Sequence, residues 1–245
     1  MGSKTALITG ASSDTGQALA ISLAASGFNI AAHYHSNLEA VRVVEDEARK
    51  CGVQVGLFCY DLVEPKQAKE MVTAVVKQFN RIDVLVNTIG PSYRRDILEV
   101  TPEEWSEAIS LNLHTAFNVS YFAKEHICAS KGHIINFAFA GVESLRAWRQ
   151  HTGYGAAKAG IVVLTKSLAT SLAPFGVRVN AISPGLIEAG TAMDEKRQEL
   201  SRQVPFGKLG RPGEIAEVVK WLVTESPSYL TGALIPVAGA WEFLG

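Results

Sequence analysis

Solid apolar runs alternate along this chain with longer segments of helical period. Thr5–Thr9 reads Thr-Ala-Leu-Ile-Thr, then comes Gly10-Ala-Ser-Ser-Asp-Thr-Gly16, then an apolar-periodic segment over residues 17–26. This predicts strand, tight turn and helix. Gly27 closes that helix, and residues 28–33 predict a second strand. Residues 38–51 predict a helix polar on one face, and residues 53–59 a third strand closed by Tyr60-Asp61. A helix over residues 65–79 leads to a fourth strand over 82–86, which ends in Asn87-Thr-Ile-Gly90. Pro102 stands at a helix start, and the helical period continues past Asn112 to about Ser130. Residues 133–137 predict the fifth strand, 154–173 a long apolar helix, and 177–182 the sixth strand, closed by Ser183-Pro184-Gly185. A helix over 212–224 and a strand over 233–237 finish the pattern.

The strands are unbroken apolar runs, which is what a strand covered on both faces needs. Strand and helix alternate almost throughout. The expectation is a Rossmann-type, doubly wound, seven-stranded parallel sheet with helices on both faces, a single domain over residues 1–245.

Composition changes this picture only at its margins. Of 245 residues 47% are hydrophobic and 19% charged, and the net charge is −1, so neither nucleic acid nor an acidic membrane is an expected partner. The three cysteines, Cys51, Cys59 and Cys128, fit neither a disulfide framework nor a zinc site, and no metal is expected. No apolar run approaches the ~18 residues of a membrane helix. The expectation is a soluble cytoplasmic protein. The surplus of apolar residues on the long helix, Val162, Val163 and Leu164 among them, predicts a subunit contact.

Two constellations carry chemistry. Glycines after a first strand let the backbone approach a pyrophosphate, and the following helix offers free N–H groups to it. Tyr154 and Lys158 stand four apart and share a helix face. A phenol titrates near 10, too high for proton traffic at neutrality, and a neighbouring ammonium is expected to lower that value. Asp14 and Gln17 have the spacing of a capping box, with Asp14 as the helix N-cap.

Taken together these motifs resemble the short-chain dehydrogenase/reductase family. The turn Thr9-Gly10-Ala-Ser-Ser-Asp-Thr-Gly16 is similar to its cofactor turn, and Asn87-Thr-Ile-Gly90 to its fourth-strand end. Asn112, Tyr154-x-x-x-Lys158, Pro184-Gly185, Arg211-Pro-Gly-Glu-Ile-Ala and Tyr229-Leu-Thr-Gly232 follow in the family's order. The resemblance implies hydride transfer between a nicotinamide dinucleotide and a carbonyl or alcohol. Tyr154 would be the acid/base, Lys158 its partner and the ribose ligand, and Asn112 the support of a water relay. It implies a cofactor cradle of Gly10, Ser12, Ser13, Thr15, Gly16, Tyr34, His35, Ser36, Asp61, Leu62, Asn87, Ile89, Gly90, Pro184, Gly185 and Ile187, with Tyr154 and Lys158. It also implies a homo-oligomer, tetramer or dimer.

The second strand ends in His33-Tyr-His-Ser-Asn37 with no carboxylate before Glu39, so NADP (NADPH) is expected ahead of NAD. The chain departs from the family at several places, among them Ala189, where the family commonly has a threonine for which Thr191 would stand in. Asp14 replaces the middle turn glycine, Thr88 replaces an asparagine, and Phe139 stands where the family keeps a serine that bonds the reacting oxygen. The loop from Phe139 to Tyr154 is also about two residues longer. Ser144 and His151 are the candidates to replace the missing donor, and Phe139 and Trp148 would make an aromatic wall. Arg94, Arg95, Arg146 and Arg149 would form a positive pocket for an anionic substrate. Residues 186–203 read as a polar lid with Gly190 as its hinge, and Tyr93, Trp148 and Met193 as substrate-choosing residues. Alternatives within enzymes are 3-oxoacyl thioester reduction and pteridine-type reduction. The alternative from another class is a non-catalytic NADP(H)-binding sensor or scaffold.

Overall fold

The computed structural model describes residues 3–144, 147–188, 190 and 194–241. Its strands are β1 (Thr5–Thr9), β2 (Asn29–Tyr34), β3 (Val55–Cys59), β4 (Val84–Asn87), β5 (His133–Phe137), β6 (Arg178–Pro184) and β7 (Leu234–Val237). All pair in parallel, in the order β3-β2-β1-β4-β5-β6-β7. The order reverses between β1 and β4, so a crevice opens at the carboxyl ends of these two strands.

The two-residue strand period sends alternate side chains to opposite faces. Ala6 and Ile8 join one core with α1 (Asp14–Ala25), α2 (Leu38–Lys50) and α8 (Pro212–Thr224). Leu7, between them, joins the other core with α3 (Pro65–Phe79), α5 (Thr115–Ser130) and α6 (Thr152–Leu172). Both sheet faces are therefore covered, as the apolar strands require. The edge strand β7 is less buried and carries Pro236, which an edge tolerates.

Three expectations about elements need correction. The helix expected from Pro102 to Ser130 is α4 (Pro102–Ile109), a π turn (Ser110–His114) and α5. A π turn inserts an extra residue per turn and re-aims the side chains around it. Here Asn112 is turned fully inward. The expected lid contains a helix, α7 (Asp194–Ser201), whose polar sequence hid it. The segment Thr152–Phe175 is long and apolar enough to cross a bilayer, contrary to the expectation that no run came close. Its small residues and single polar interruptions concealed that average. One face of it buries Ile161, Thr165, Ala169 and Leu172 against the sheet, as a core helix does.

Candidate active site

The turn after β1 is held by side chains from three directions. Gly10 has φ +68°, a conformation glycine adopts readily, and a Cβ there would press on Thr88 Oγ1 at 3.0 Å. A Cβ on Gly16 would stand 2.3 Å from the Gly10 carbonyl oxygen, so α1 packs on the turn only because residue 16 is glycine. Ser13, not Asp14, is the N-cap of α1: its Oγ accepts from the Gly16 N–H at 3.1 Å. The cap is therefore one residue earlier than expected, and with Gly16 at the third helical position no capping box forms. Asp14 lies in the first helical turn, and its carboxylate accepts from the Gly190 N–H at 2.6 Å. It ties the cofactor turn to the loop after β6.

His33 was read only as the end of a strand, yet it pins this turn. The Gly10 N–H donates to His33 Nδ1 at 3.1 Å, so Nδ1 is unprotonated, and Nε2 donates to the Tyr60 carbonyl at 2.9 Å. Burial holds its pKa down at about 4, so the ring stays neutral. One imidazole thus joins β1, β2 and the end of β3. A histidine at the carboxyl end of a central strand was the available signal.

Tyr34 is half-buried, whereas His35 and Ser36 are exposed. Asn37 caps α2 by accepting from the Ala40 N–H at 3.0 Å. Burial and the neighbouring Cys59 raise the Tyr34 phenol pKa, while Arg42, one turn along α2, pulls it the other way. That places Arg42 beside the end of β2, a cation the sequence reading passed over. Asp61 caps its own loop, accepting from the Val63 N–H at 3.0 Å. The side chains of Leu62 and Asn87 do not face the crevice. Leu62 is in the core, and the Asn87 amide donates to Asn136 on β5 and Ser120 on α5. Ile89 packs on the core, and Ile187 bridges to Gly210 beside a smaller pocket.

The main cleft has a volume of about 1180 Å³ and is lined by Gly90, Tyr154, Lys158, Pro184 and Gly185 among the expected residues. Lys158 is 2% exposed, and its Nζ donates to the Phe137 carbonyl at 2.8 Å. It lies 5.6 Å from the centre of the Tyr154 ring. A Cβ on Gly90 would come within 2.4 Å of Lys158 Nζ and 2.8 Å of Asn112 Oδ1, so the lysine head and the asparagine oxygen meet over this glycine. The Asn112 amide donates to the Pro91 and Ala108 carbonyls, both at 3.0 Å, which leaves Oδ1 buried without a partner among the described residues. That orphaned acceptor beside a buried ammonium fits a relay water or a ligand hydroxyl.

Burial acts on the pair in opposite directions. It pushes the Tyr154 phenol well above its ordinary value and pulls Lys158 down to about 7. The expected lowering of the tyrosine by the lysine is therefore outweighed, because both charged forms lose solvation here. Tyr154 is held as a proton donor, and Lys158 titrates where a relay operates.

At the end of β5 the Phe139 ring stacks on Tyr154, with centroids 5.3 Å apart and planes at 28°, and meets Trp148 edge-on at 5.4 Å. The aromatic wall is thus present, and it leans on the tyrosine. Of the two proposed donors, Ser144 is exposed outside the cleft, while His151 lines it. Arg94 and Arg149 line the main cleft, and Arg94 and Arg95 border the smaller pockets beside it. Arg95 pairs with Glu104 and Arg149 with Asp96, Arg94 bonds Gln150, and Arg146 lies outside the described residues. Met193 and Thr191 lie outside them too.

Known proteins match this chain along nearly its full length. The family model described as enoyl-(acyl carrier protein) reductase matches residues 10–240. A 3-oxoacyl-[acyl-carrier-protein] reductase of Staphylococcus aureus is 33% identical over 240 residues, covering 96% of this chain and 97% of that protein. The acetoin dehydrogenase of Salmonella typhimurium superposes with a TM-score of 0.89 at 29% identity, covering 98% of this chain and 96% of that one. An actinorhodin polyketide ketoreductase solved with NADPH superposes with a TM-score of 0.89 at 28% identity, covering 98% of both chains. The order of motifs, the seven-stranded sheet and these matches agree: the chain belongs to the short-chain dehydrogenase/reductase family and is an oxidoreductase of that type.

Proposed function

We propose that this oxidoreductase is an NADP(H)-dependent carbonyl reductase, acting on a ketone or a 3-oxoacyl thioester and able to run in reverse on the alcohol. The observation that carries the reading is the meeting of Tyr154, Lys158 and Asn112 at the cleft. A phenol held protonated by burial faces the substrate space, with a lysine of pKa about 7 behind it and an unpartnered amide oxygen beyond. The four-residue spacing of Tyr154 and Lys158 is narrower than the family resemblance implies for enoyl reductases, which favours carbonyl over enoyl substrates.

The residues fit a nicotinamide dinucleotide. The Gly10–Gly16 turn leaves backbone and the start of α1 open to a pyrophosphate, and Lys158 and Gly90 border the place for its ribose. When bound, the dinucleotide supplies the hydride. Tyr154 gives its proton to the carbonyl oxygen as the carbon is reduced. The ammonium of Lys158 stabilises the phenolate left behind, and the proton is restored from solvent through Lys158 and the relay at Asn112 Oδ1.

The preference for NADP(H) rests on the absence of a carboxylate at the end of β2 and on His35, Ser36 and Arg42 there. The same reading makes the protein a homo-oligomer. Phe117 and Tyr121 on α5 and Val163 on α6 are 49%, 49% and 65% exposed, more apolar surface than a solvated face needs. The test is to titrate the protein with NADPH and NADH, then follow nicotinamide absorbance over a panel of ketones, 3-oxoacyl thioesters, enoyl thioesters and pterins. NADPH binding tighter than NADH, with turnover of a keto compound, is the expected result. NADH preference, or turnover of the enoyl compounds alone, would overturn it.

A further inference from the structure

A carbonyl oxygen that becomes an alkoxide presents two lone pairs, and one proton donor serves only one of them. A second donor aimed at such an oxygen is worth about 10²–10³ in rate. The end of β5 offers none, since Phe137, Ala138, Phe139 and Ala140 carry no polar side-chain atom. Thr88 Oγ1 is committed to the Thr9 carbonyl. Ser183 Oγ is fully buried.

His151 lines the same cleft. It is the N-cap residue of α6, three positions before Tyr154, and shares the cleft with it. Its Nδ1 is 3.0 Å from Ser92 Oγ. The loop carrying Ser92 is fastened to the segment carrying His151 at several points. The Arg95 N–H donates to the Gln150 carbonyl at 2.8 Å, and the Ile97 N–H to the Arg149 carbonyl at 2.9 Å. Arg94 Nε donates to Gln150 Oε1 at 2.6 Å, and Arg149 pairs with Asp96 at 2.5 Å. From behind, the His151 N–H donates to the Trp148 carbonyl at 3.0 Å, and the Gly155 N–H to the His151 carbonyl at 2.7 Å. These contacts clamp two loops together, and what the clamp holds is an imidazole in the same cleft as Tyr154.

We propose that His151 is a second catalytic hydrogen-bond donor, its ring N–H directed at the oxygen that Tyr154 protonates, with Ser92 as the positioning residue that accepts no substrate contact but fixes Nδ1. Ser92 Oγ–H donating to Nδ1 leaves the proton on Nε2, so the ring donates while neutral. Burial and Arg94 both keep the ring in that neutral form. No proton leaves His151; it bonds the developing alkoxide and Tyr154 supplies the proton. The inference rests on the reductase reading.

The experiment measures kcat, KM and NADPH affinity for His151→Ala, His151→Gln, Ser92→Ala and Ser92→Thr, with Tyr154→Phe as reference and a keto substrate that the unaltered protein turns over. His151→Ala is expected to lower kcat by about 10²–10³ while NADPH affinity and KM stay within about threefold. Gln, which keeps an N–H donor, should recover much of that loss. Ser92→Ala should lower kcat by about tenfold, and Thr should restore it. The proposal is overturned if His151→Ala keeps kcat within about threefold, or if its loss falls on NADPH affinity with Gln no better than Ala. If Tyr154→Phe keeps full turnover, the reductase reading itself fails, a result distinct from either.

Discussion

The ends of β1 and β5 both carry a residue that breaks the pattern around it, and the two breaks differ in kind. After β1, Asp14 stands at a position where the backbone matters. The turn keeps its shape: Gly10 holds its positive φ, Ser13 caps α1, Gly16 packs on the turn, and His33 pins it. The new carboxylate points away to Gly190. After β5, Phe139 stands where the family resemblance implies a serine. Its ring stacks on Tyr154 and brings no polar atom to that place. A site defined by backbone absorbs a foreign side chain, whereas a site defined by one polar atom must find that atom elsewhere. His151 is where the proposal finds it.

Breaking the catalytic side should have the larger effect. Lys158→Met is expected to cut kcat by about 10²–10³. It should also change the pH dependence of stability in the free protein. The lysine pKa falls from 10.5 to about 7 on folding. Between these values the unfolded chain holds a proton that the folded one has lost, so stability rises with pH across that window. Denaturant titrations at pH 7 and pH 9 should show that rise in the parent and a smaller one in the variant.

Gly90→Ala tests the same side by geometry alone. The added methyl must displace the lysine head, so a loss of about tenfold in kcat with a folded protein is expected, measured by steady-state turnover beside circular dichroism. Parent-like activity would show that Lys158 has room to spare.

On the cofactor side, His33→Gln should act on stability more than on rate. The His33 pKa falls from 6.5 to about 4 on folding, so below pH 6.5 the unfolded chain takes up a proton that the folded one refuses, and stability falls as pH drops toward 4. The variant should lose about 1–2 kcal/mol at pH 7 and show a flatter decline in acid, read by urea unfolding at both pH values. His133, also neutral through burial, contributes to the same acid limb and should remain.

The smallest effect belongs to Asp14→Gly. Removing an exposed carboxylate near a pyrophosphate should tighten NADPH binding by about two- to fivefold, measured by fluorescence titration. A loss of affinity would mean that the Asp14–Gly190 bond assembles the site instead of merely crossing it.

Much of this was legible in the sequence because it depends on local pattern. The period-two and helical periods gave all seven strands, and α3 and α8 to the residue, with Pro65 and Pro212 marking their starts. Tyr154, Lys158, Gly90 and Pro184–Gly185 were found together because strand ends and helix starts converge on one crevice. What escaped depends on contacts distant in sequence. The π turn around Asn112 is invisible to a helical period that continues through it. Asp14 looked like a cap until Gly190, 176 residues away, claimed its carboxylate. The arginines were grouped by charge alone, and their partners Glu104 and Asp96, which pair with two of them, lie elsewhere in the sequence. The pKa of Tyr154 was read from its charged neighbour, but the burial that outweighs that neighbour is a property of the folded chain.

The central claim is that the proton for carbonyl reduction comes from Tyr154, and single-turnover oxidation of bound NADPH by a keto substrate tests it most directly. Tyr154→Phe, which keeps the ring stack on Phe139 and loses only the hydroxyl, should bind NADPH as the parent does and slow the turnover by about 10³-fold or more. A single-turnover rate equal to that of the parent protein would contradict the account.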